Sequence, residues 1–300
     1  MAKPFGEKFI CAIANYNNSF TFGPDKLSWE HLKHIIKDKI CLKNIIIIAN
    51  ACFELGYWPD HFKKSTTIII PKPNKSSYNS LKSFKPIVLL NTMGKLIEKV
   101  IRNRLQFQVI SNNFIYQGQL GDLEFKSTTD TGIAFTYFIC TGWIKNMLTS
   151  SLVFDIVQFF PLLNHCLLAL ILEKVRFKLR VVNFFSNYLV NRKTKYFWNN
   201  FSSSFFDINV GVGQGLALSS ILSTLYLSSF LHILEKRSKN LDLKISILSF
   251  VDDDLLITQS KSFQVSNTEI FHFSRLQGTF NPSSLNLSPI GSPSLILKDI

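Results

Sequence analysis

Three consecutive aspartates, Asp252, Asp253 and Asp254, stand between two apolar runs, Ile245 to Phe250 and Leu255 to Thr258. No other feature restricts the possible folds of this chain as tightly. Runs of this kind read as the strands of a β-hairpin with Val251 and the acids at its tip. Adjacent carboxylates in a partly buried setting repel, since two like charges about 4 Å apart cost about 4 kcal/mol at an effective dielectric of 20. Such acids protonate, face bulk water or bind a divalent cation, and Mg²⁺ takes oxygen ligands of this type together with substrate phosphate. An acidic pair in a polar loop would be a solvated turn. Here the flanks LSF and LLIT are strand material, which favours a metal.

A third acid from elsewhere in the chain would complete a two-metal site. Asp155 ends an apolar strand of its own, Ser151 to Ile156, and a sheet placing that strand beside the hairpin would gather the three carboxylates. The rival reading of Asp155 is a turn acid before the helix expected over Asn164 to Phe177, and spacing alone does not exclude it.

Around these strands the chain alternates helical and extended segments without a long-period repeat, which implies an α+β or α/β architecture. Residues 28 to 55 read as helical, and Thr66 to Ile70 as a strand halted by Pro71 and Pro73. From Asn91 to Leu105 the apolar positions Met93, Leu96, Ile97, Val100, Ile101 and Leu105 recur at helical spacing, with Thr92 placed to cap. After Ser260 the periodic signal fades into a Ser- and Pro-containing stretch that reads as loop.

Charge and hydropathy narrow the partners. Thirty-three Lys and Arg against 20 Asp and Glu give a net charge of +13, a surplus that attracts phosphate backbones, although a basic protein without such a partner would have the same balance. Mean hydropathy is +0.16, so a membrane reading has to be weighed. The uncharged stretch Leu216 to Leu234 is long enough to span a bilayer, yet it carries six serines and threonines and His232, and a helix buried in a large domain has the same composition. Five cysteines without a CxxC pair indicate neither a disulfide framework nor a zinc site, and with no signal-peptide pattern at the N-terminus an intracellular setting is expected.

Taken in order, the segments resemble the reverse transcriptases of LINE-type (non-LTR) retrotransposons, most closely the Tad-like group. The likeness runs through GPDKLSWEHL at Gly23, IIIPKPNK at Ile68, SFKPIVLLNTMGKLIEK at Ser83, FDIVQFFPLLNH at Phe154, GVGQGLALSSILS at Gly211 and SFVDDDLL at Ser249. The resemblance implies a right-hand polymerase fold of the α+β class: an N-terminal extension over 1–22, fingers over 23–110, a palm over 111–266 and a truncated segment over 267–300, with the thumb missing or incomplete. It implies RNA-directed DNA polymerase activity on an RNA template, a DNA primer and deoxynucleoside triphosphates, assisted by two Mg²⁺ ions, with Mn²⁺ as a substitute, and a nuclear setting for an element that copies itself into chromosomes.

The same resemblance assigns Asp155, Asp252 and Asp253 as catalytic metal ligands. Phe160 matches the aromatic position under the incoming sugar, with simple core packing as its rival reading. Gln214 and Gly215 match the loop against the nascent base pair, and Lys72 and Lys85 the positions that clamp the triphosphate. Asn191, Arg192 and Lys193 are expected, from charge alone, to touch the template backbone.

Several positions depart from the family pattern. Lys85 stands where arginine is usual and cannot reproduce a bidentate guanidinium grip. Leu216 replaces a small polar residue, Ser220 a proline, and Asp122 and Asp254 glycines. Each change is reachable by one C-to-T or G-to-A transition, which points to the translation of a mutationally decayed copy. Between Asn267 and Thr268 a family segment is missing; the thumb, an upstream endonuclease and a downstream RNase H are likewise expected to be absent. Two alternatives therefore stay open: an inactive nucleic-acid-binding remnant, and a membrane protein anchored at 216–234.

Overall fold

A computed structural model describes residues 10, 12, 13, 22–240, 245–260 and 270–273. In chain order it forms helices α1 (Trp29–Ile35), α2 (Lys39–Glu54) and α3 (Asp60–Lys63), strands β1 (Lys64–Pro71) and β2 (Phe84–Leu90), helices α4 (Thr92–Ser111) and α5 (Thr128–Ile144), and strand β3 (Leu148–Asp155). Helices α6 (Phe159–Leu162), α7 (His165–Lys174) and α8 (Leu179–Leu189) follow, then strands β4 (Arg192–Trp198), β5 (Phe201–Ser202) and β6 (Phe206–Ile208), helix α9 (Ala217–Asn240) and strands β7 (Ile245–Phe250), β8 (Asp253–Ser260) and β9 (Ile270–Phe273). The α+β expectation holds. The chain divides into two interleaved units, Met1–Phe114 with Gln158–Tyr226, and Ile115–Val157 with Leu227–Ile300. Residues 158–226, grouped by the sequence ranges with 111–157, thus pack with the first unit.

The first unit is built on a sheet of order β2-β1-β4-β5, with β6 also paired to β4. β1 runs antiparallel to β2 and parallel to β4. One face of this sheet is covered: Ser65, Thr67, Val88, Leu90 and Thr194 are all buried, and the hydroxyls of Thr67 and Thr194 lie 2.8 Å apart across the parallel pair. Against α4 the apolar set read from the sequence is at the core, with Leu96, Ile97, Val100, Ile101 and Leu105 at 0–1% exposure. Trp58 packs edge-on against Phe184 at 5.8 Å and Tyr188 at 5.4 Å, and its N–H donates to Asn187 at 2.7 Å. Aromatic pairs in these arrangements add about 0.5–1.5 kcal/mol beyond their area.

The expected cap of α4 needs correction. Asn91 is the N-cap and Thr92 is the first helical residue; its N–H donates to the Asp25 carboxylate at 2.7 Å and its hydroxyl to the Leu27 carbonyl at 2.6 Å. A carboxylate from another segment thus satisfies the helix end that a local side chain was expected to cap.

The second unit carries the sheet β7-β8-β3-β9. β7 and β8 form the expected hairpin, and β3 lies antiparallel to β8. Strand β9, on the far side of β3, falls where the sequence reads as loop. Most of the Ser- and Pro-containing tail lies outside the described residues. Helix α5 begins with a capping box in which Ser127 accepts from the Asp130 N–H and Asp130 accepts from the Ser127 N–H.

Helix α9 is, among the described residues, the one helix long and apolar enough to cross a membrane by length and composition. Its first turns are enclosed by protein: Leu218, Ser219, Ile221, Leu222, Ser223 and Thr224 are at 0–1% exposure. The Ser223 and Thr224 hydroxyls both donate to the Ser220 carbonyl at 2.8 Å, which satisfies them without water. Burial of this kind belongs to a core helix, and the membrane alternative is not favoured.

Candidate active site

Strand register positions the acids. In the β3–β8 pair Asp155 stands opposite Asp253, and in the β7–β8 pair Phe250 stands opposite Asp253. The Ile156 N–H donates to the Asp252 carbonyl at 3.1 Å, so residues 156 and 252 form a hydrogen-bonded pair and 155 and 253 a non-hydrogen-bonded one. Residues of the latter kind approach to about 4.5 Å between Cα atoms, with side chains on one face. Both aspartates are exposed. Like charges directly opposite on a sheet are destabilising, so an ordinary strand pair has no reason to keep them.

Val251 and Asp252 are the two loop residues between the closing pair Phe250 and Asp253, and Val251 has φ +64°. A positive φ at the first loop position alone is the type II′ pattern, normally held by glycine. A β-branched residue there is strained, and strain of this sort gathers at functional sites. Asp252 follows in the same turn, half-buried. The register therefore joins Asp155 and Asp253 directly and leaves Asp252 at the adjoining turn; among the described residues no three His, Cys, Asp or Glu side chains already form a metal-holding cluster. As a donor set, the two exposed carboxylates with a third beside them are of the hard-oxygen type that Mg²⁺ takes, and that ion completes its shell with water and substrate phosphate rather than an all-protein cage.

Asp254 occupies the opposite face of β8, between Phe154 and Ser249. It is 1% exposed, and neither carboxyl oxygen has a hydrogen-bond partner. Burial pushes its carboxyl up to about 6, with Ser249 opposing and the charges of Asp253 and Asp252 adding to the rise. It is a buried, mismatched acid on the face of β8 opposite to Asp253.

A ribbon that the sequence reading missed supports the tip. Ser249 N–H donates to the Gly118 carbonyl and Leu120 N–H to the Ser249 carbonyl, both at 2.8 Å. At Gly121 a Cβ would lie 2.3 Å from the Val251 nitrogen, so only glycine lets this backbone approach the strained turn. The signal was the pair of glycines in YQGQLGD.

The residues assigned to substrate all belong to the first unit. Phe160 is half-buried in α6 and edge-on to Phe159 at 5.7 Å; its carbonyl accepts from the Val212 N–H at 2.8 Å. That bond places α6 against the loop carrying Gln214 and Gly215. The Gln214 carbonyl accepts in turn from Val88 of β2 at 2.9 Å, and Leu216, the departure from a small polar residue, is buried with Val88 and Leu90. Gly215 has φ +95°, a conformation L side chains rarely adopt. Lys85 faces Ile70 across the β1–β2 pair, and the Lys72 N–H donates to the Ser83 carbonyl at 2.8 Å. Pleat alternation puts both exposed lysines on the same side of that hairpin. Hydrogen bonds and register thus link Phe160, the Gln214–Gly215 loop and β2 with its lysines.

Of the three residues expected at the template backbone, Arg192 requires correction. It is 4% exposed, with its guanidinium 4.8 Å from the Tyr188 ring centroid, and so serves the interior. Asn191 and Lys193 are exposed; Lys193 pairs with Asp207 at 3.5 Å.

Comparison with known proteins follows the same line. Residues 70–280 match the family described as reverse transcriptase (RNA-dependent DNA polymerase). The chain is 25% identical over 182 residues to a probable RNA-directed DNA polymerase from transposon BS of Drosophila melanogaster, covering 61% of this chain and 20% of that protein. It is 26% identical over 222 residues to the RNA-directed DNA polymerase from mobile element jockey of the same organism, covering 74% and 24%. The chain thus spans about a quarter or less of the length of these relatives. Among solved structures it is similar to telomerase from Candida albicans, with 14% identity, a TM-score of 0.47 and coverage of 67% and 39%, and to apo telomerase from Candida tropicalis, with 15%, 0.48, 66% and 44%. The mobile-element relatives agree with the LINE-type resemblance read from the motifs. With more than half of its residues matched, the chain belongs to the reverse transcriptase (RNA-dependent DNA polymerase) family.

Proposed function

We propose that this chain is the fingers-and-palm part of a right-hand polymerase from a LINE-type retrotransposon of the Tad-like group, joining deoxynucleotides to a DNA primer on an RNA template. The observation that carries the reading is the register that sets Asp155 against Asp253 beside the Val251–Asp252 turn. An uncompensated carboxylate pair costs stability, and recruitment of divalent cations gives it a use. Asp155, Asp252 and Asp253 would hold Mg²⁺ or Mn²⁺, which when bound supplies the positive charge that a reacting triphosphate requires.

The chain's own groups account for the rest. The ammonium groups of Lys72 and Lys85, on one side of the β1–β2 hairpin, neutralise the triphosphate. The half-buried ring of Phe160 lies under the incoming sugar and leaves no room for a 2′-hydroxyl. The Gln214–Gly215 loop offers backbone to the new base pair, with glycine permitting the close approach. The primer 3′-hydroxyl gives up its proton to solvent and attacks the α-phosphorus, the bond to the bridging oxygen breaks, and pyrophosphate leaves.

The test is extension of a DNA primer on an RNA template by the purified chain, with Mg²⁺ present or chelated, alongside Asp252→Asn and Asp155→Asn. Mg²⁺-dependent extension that both substitutions abolish supports the proposal. Extension equal in wild type and variants, or salt-sensitive binding without any extension, refutes it.

A further inference from the structure

The sheet of the first unit has a second face, wider than the nucleotide-side residues that share it. Ser65, Thr67, Val88, Leu90 and Thr194 point into the core, so pleat alternation turns Ile68, Ile87, Lys195 and Phe197 to the other side. Strand register fixes one row across that side: Ile87 of β2 stands opposite Ile68 of β1, and Ile68 opposite Phe197 of β4. The row begins under the Gln214–Gly215 loop, because a Cβ at Gly215 would lie 3.3 Å from Ile87 Cγ2. It ends at Phe197, two interstrand spacings or about 10 Å away.

The far end of the row is aromatic and basic. Phe197 is 42% exposed and, among the described residues, makes no ring contact. Phe205 is 43% exposed, and the Lys195 ammonium lies 5.7 Å from its ring centroid. Lys193, two residues before Lys195 and so on the same side, pairs with its register partner Asp207 at 3.5 Å. The rings turned to the opposite side behave differently: Tyr196 lies 5.0 Å from Phe206 and Trp198 5.8 Å from Phe84, so they hold strands to one another. A single exposed phenylalanine would need no explanation. Two of them beside lysines on an open sheet face have the composition of a single-strand platform, in which rings stack on bases and cations follow the backbone.

We propose that Phe197 and Phe205 stack unpaired bases of the RNA template, with Lys193 and Lys195 on the phosphates that link them. Charge selects the occupant, since an apolar protein segment would leave these ammonium groups without counter-charge while a phosphate backbone supplies it. The open rings select unpaired bases, whose faces are free to stack. The inference rests on the reading of the Gln214–Gly215 loop as the wall of the nascent base pair, which makes the strand arriving along this row the one about to be copied.

The experiment is fluorescence anisotropy of the whole purified chain with a labelled single-stranded RNA of about twelve nucleotides, with the same sequence as DNA, and with the RNA duplex, in the absence of Mg²⁺ and nucleotide. Phe197→Leu keeps the apolar bulk and removes the ring, and Phe197→Tyr keeps the ring. On single-stranded RNA the leucine variant should bind about tenfold more weakly, the scale of one lost base stack, while the tyrosine variant matches wild type. Lys195→Ala should reduce the slope of log affinity against log salt by about 0.7. Phe201→Leu changes a ring that pairs with Trp198 on the opposite side and should leave affinity unchanged, as should Phe197→Leu on the duplex. No loss with Phe197→Leu, or an equal loss with Phe197→Tyr, with Phe201→Leu or on the duplex, overturns the platform; a wild type that prefers the DNA strand overturns its assignment to template. Binding needs no catalysis, so a chain that shows the expected pattern without extending a primer keeps the platform and loses the polymerase reading.

Discussion

Raising the pH from about 4.5 through about 7 should destabilise this protein by way of Glu98, and substitution by glutamine isolates the effect. Burial lifts the carboxyl from 4.5 to about 7, against the opposing pull of Tyr188, Arg192, the Ala217 amide and Lys95. The folded protein therefore holds this proton more tightly than the unfolded chain does. The resulting stabilisation is complete below about pH 4.5 and is lost as the pH rises through about 7. At about 1.4 kcal/mol per factor of ten in proton affinity, the whole effect is roughly 3 kcal/mol. The assay is urea unfolding of wild type and Glu98→Gln at pH values from 4.5 to 8.5, comparing extrapolated free energies. Groups that titrate alike in both proteins cancel in the difference, including the Asp254 carboxyl. The wild type should lose about 3 kcal/mol more than the variant across this window. A difference that stays flat with pH, or that moves in favour of the wild type as pH rises, would show that Glu98 is already ionised in the fold and that the account of its burial is wrong.

Three further outcomes follow from the acidic face and the Gln214–Gly215 loop. Asp155→Asn should abolish primer extension while raising stability by about 0.5–1 kcal/mol, because it removes like-charge repulsion across a strand pair; thermal unfolding beside the extension assay checks both, and a loss of stability would contradict the cross-strand geometry. Asp254→Ala should stabilise by about 1–3 kcal/mol at pH 8, the cost of an unpartnered buried acceptor, and by less at pH 5, where protonation already relieves the wild type; urea midpoints at the two pH values test this. Gly215→Ala should destabilise by about 1–2 kcal/mol, the penalty for a Cβ at positive φ, as measured by urea unfolding.

The parts of this structure legible in the sequence are those set by short-range periodicity. The β7–β8 hairpin follows from apolar runs closed by turn residues, and the buried stripe of α4 from its helical spacing. The approach of Asp155 to Asp253 was legible only as a possibility, because strand order depends on contacts about a hundred residues apart. Strand β9 was missed because four residues pairing at a sheet edge leave little pattern. Thr92 was misread as a cap because the carboxylate that serves that helix end, Asp25, arrives from 67 residues away. Arg192 was assigned to the template backbone by its charge, and nothing local revealed that it would be buried against the Tyr188 ring. Each miss arose where a distant partner outweighed local preference.

The interleaving of the two units has a consequence for synthesis on the ribosome. Strand β1 is central in its sheet, yet its parallel neighbour β4 ends at Trp198. From the time residue 71 emerges until the chain is more than a hundred residues longer, β1 has an open edge ready to pair with another nascent copy. Fragments that stop before β4 should therefore aggregate, while those extending through β8, which also supplies the partner of β3, should stay dispersed.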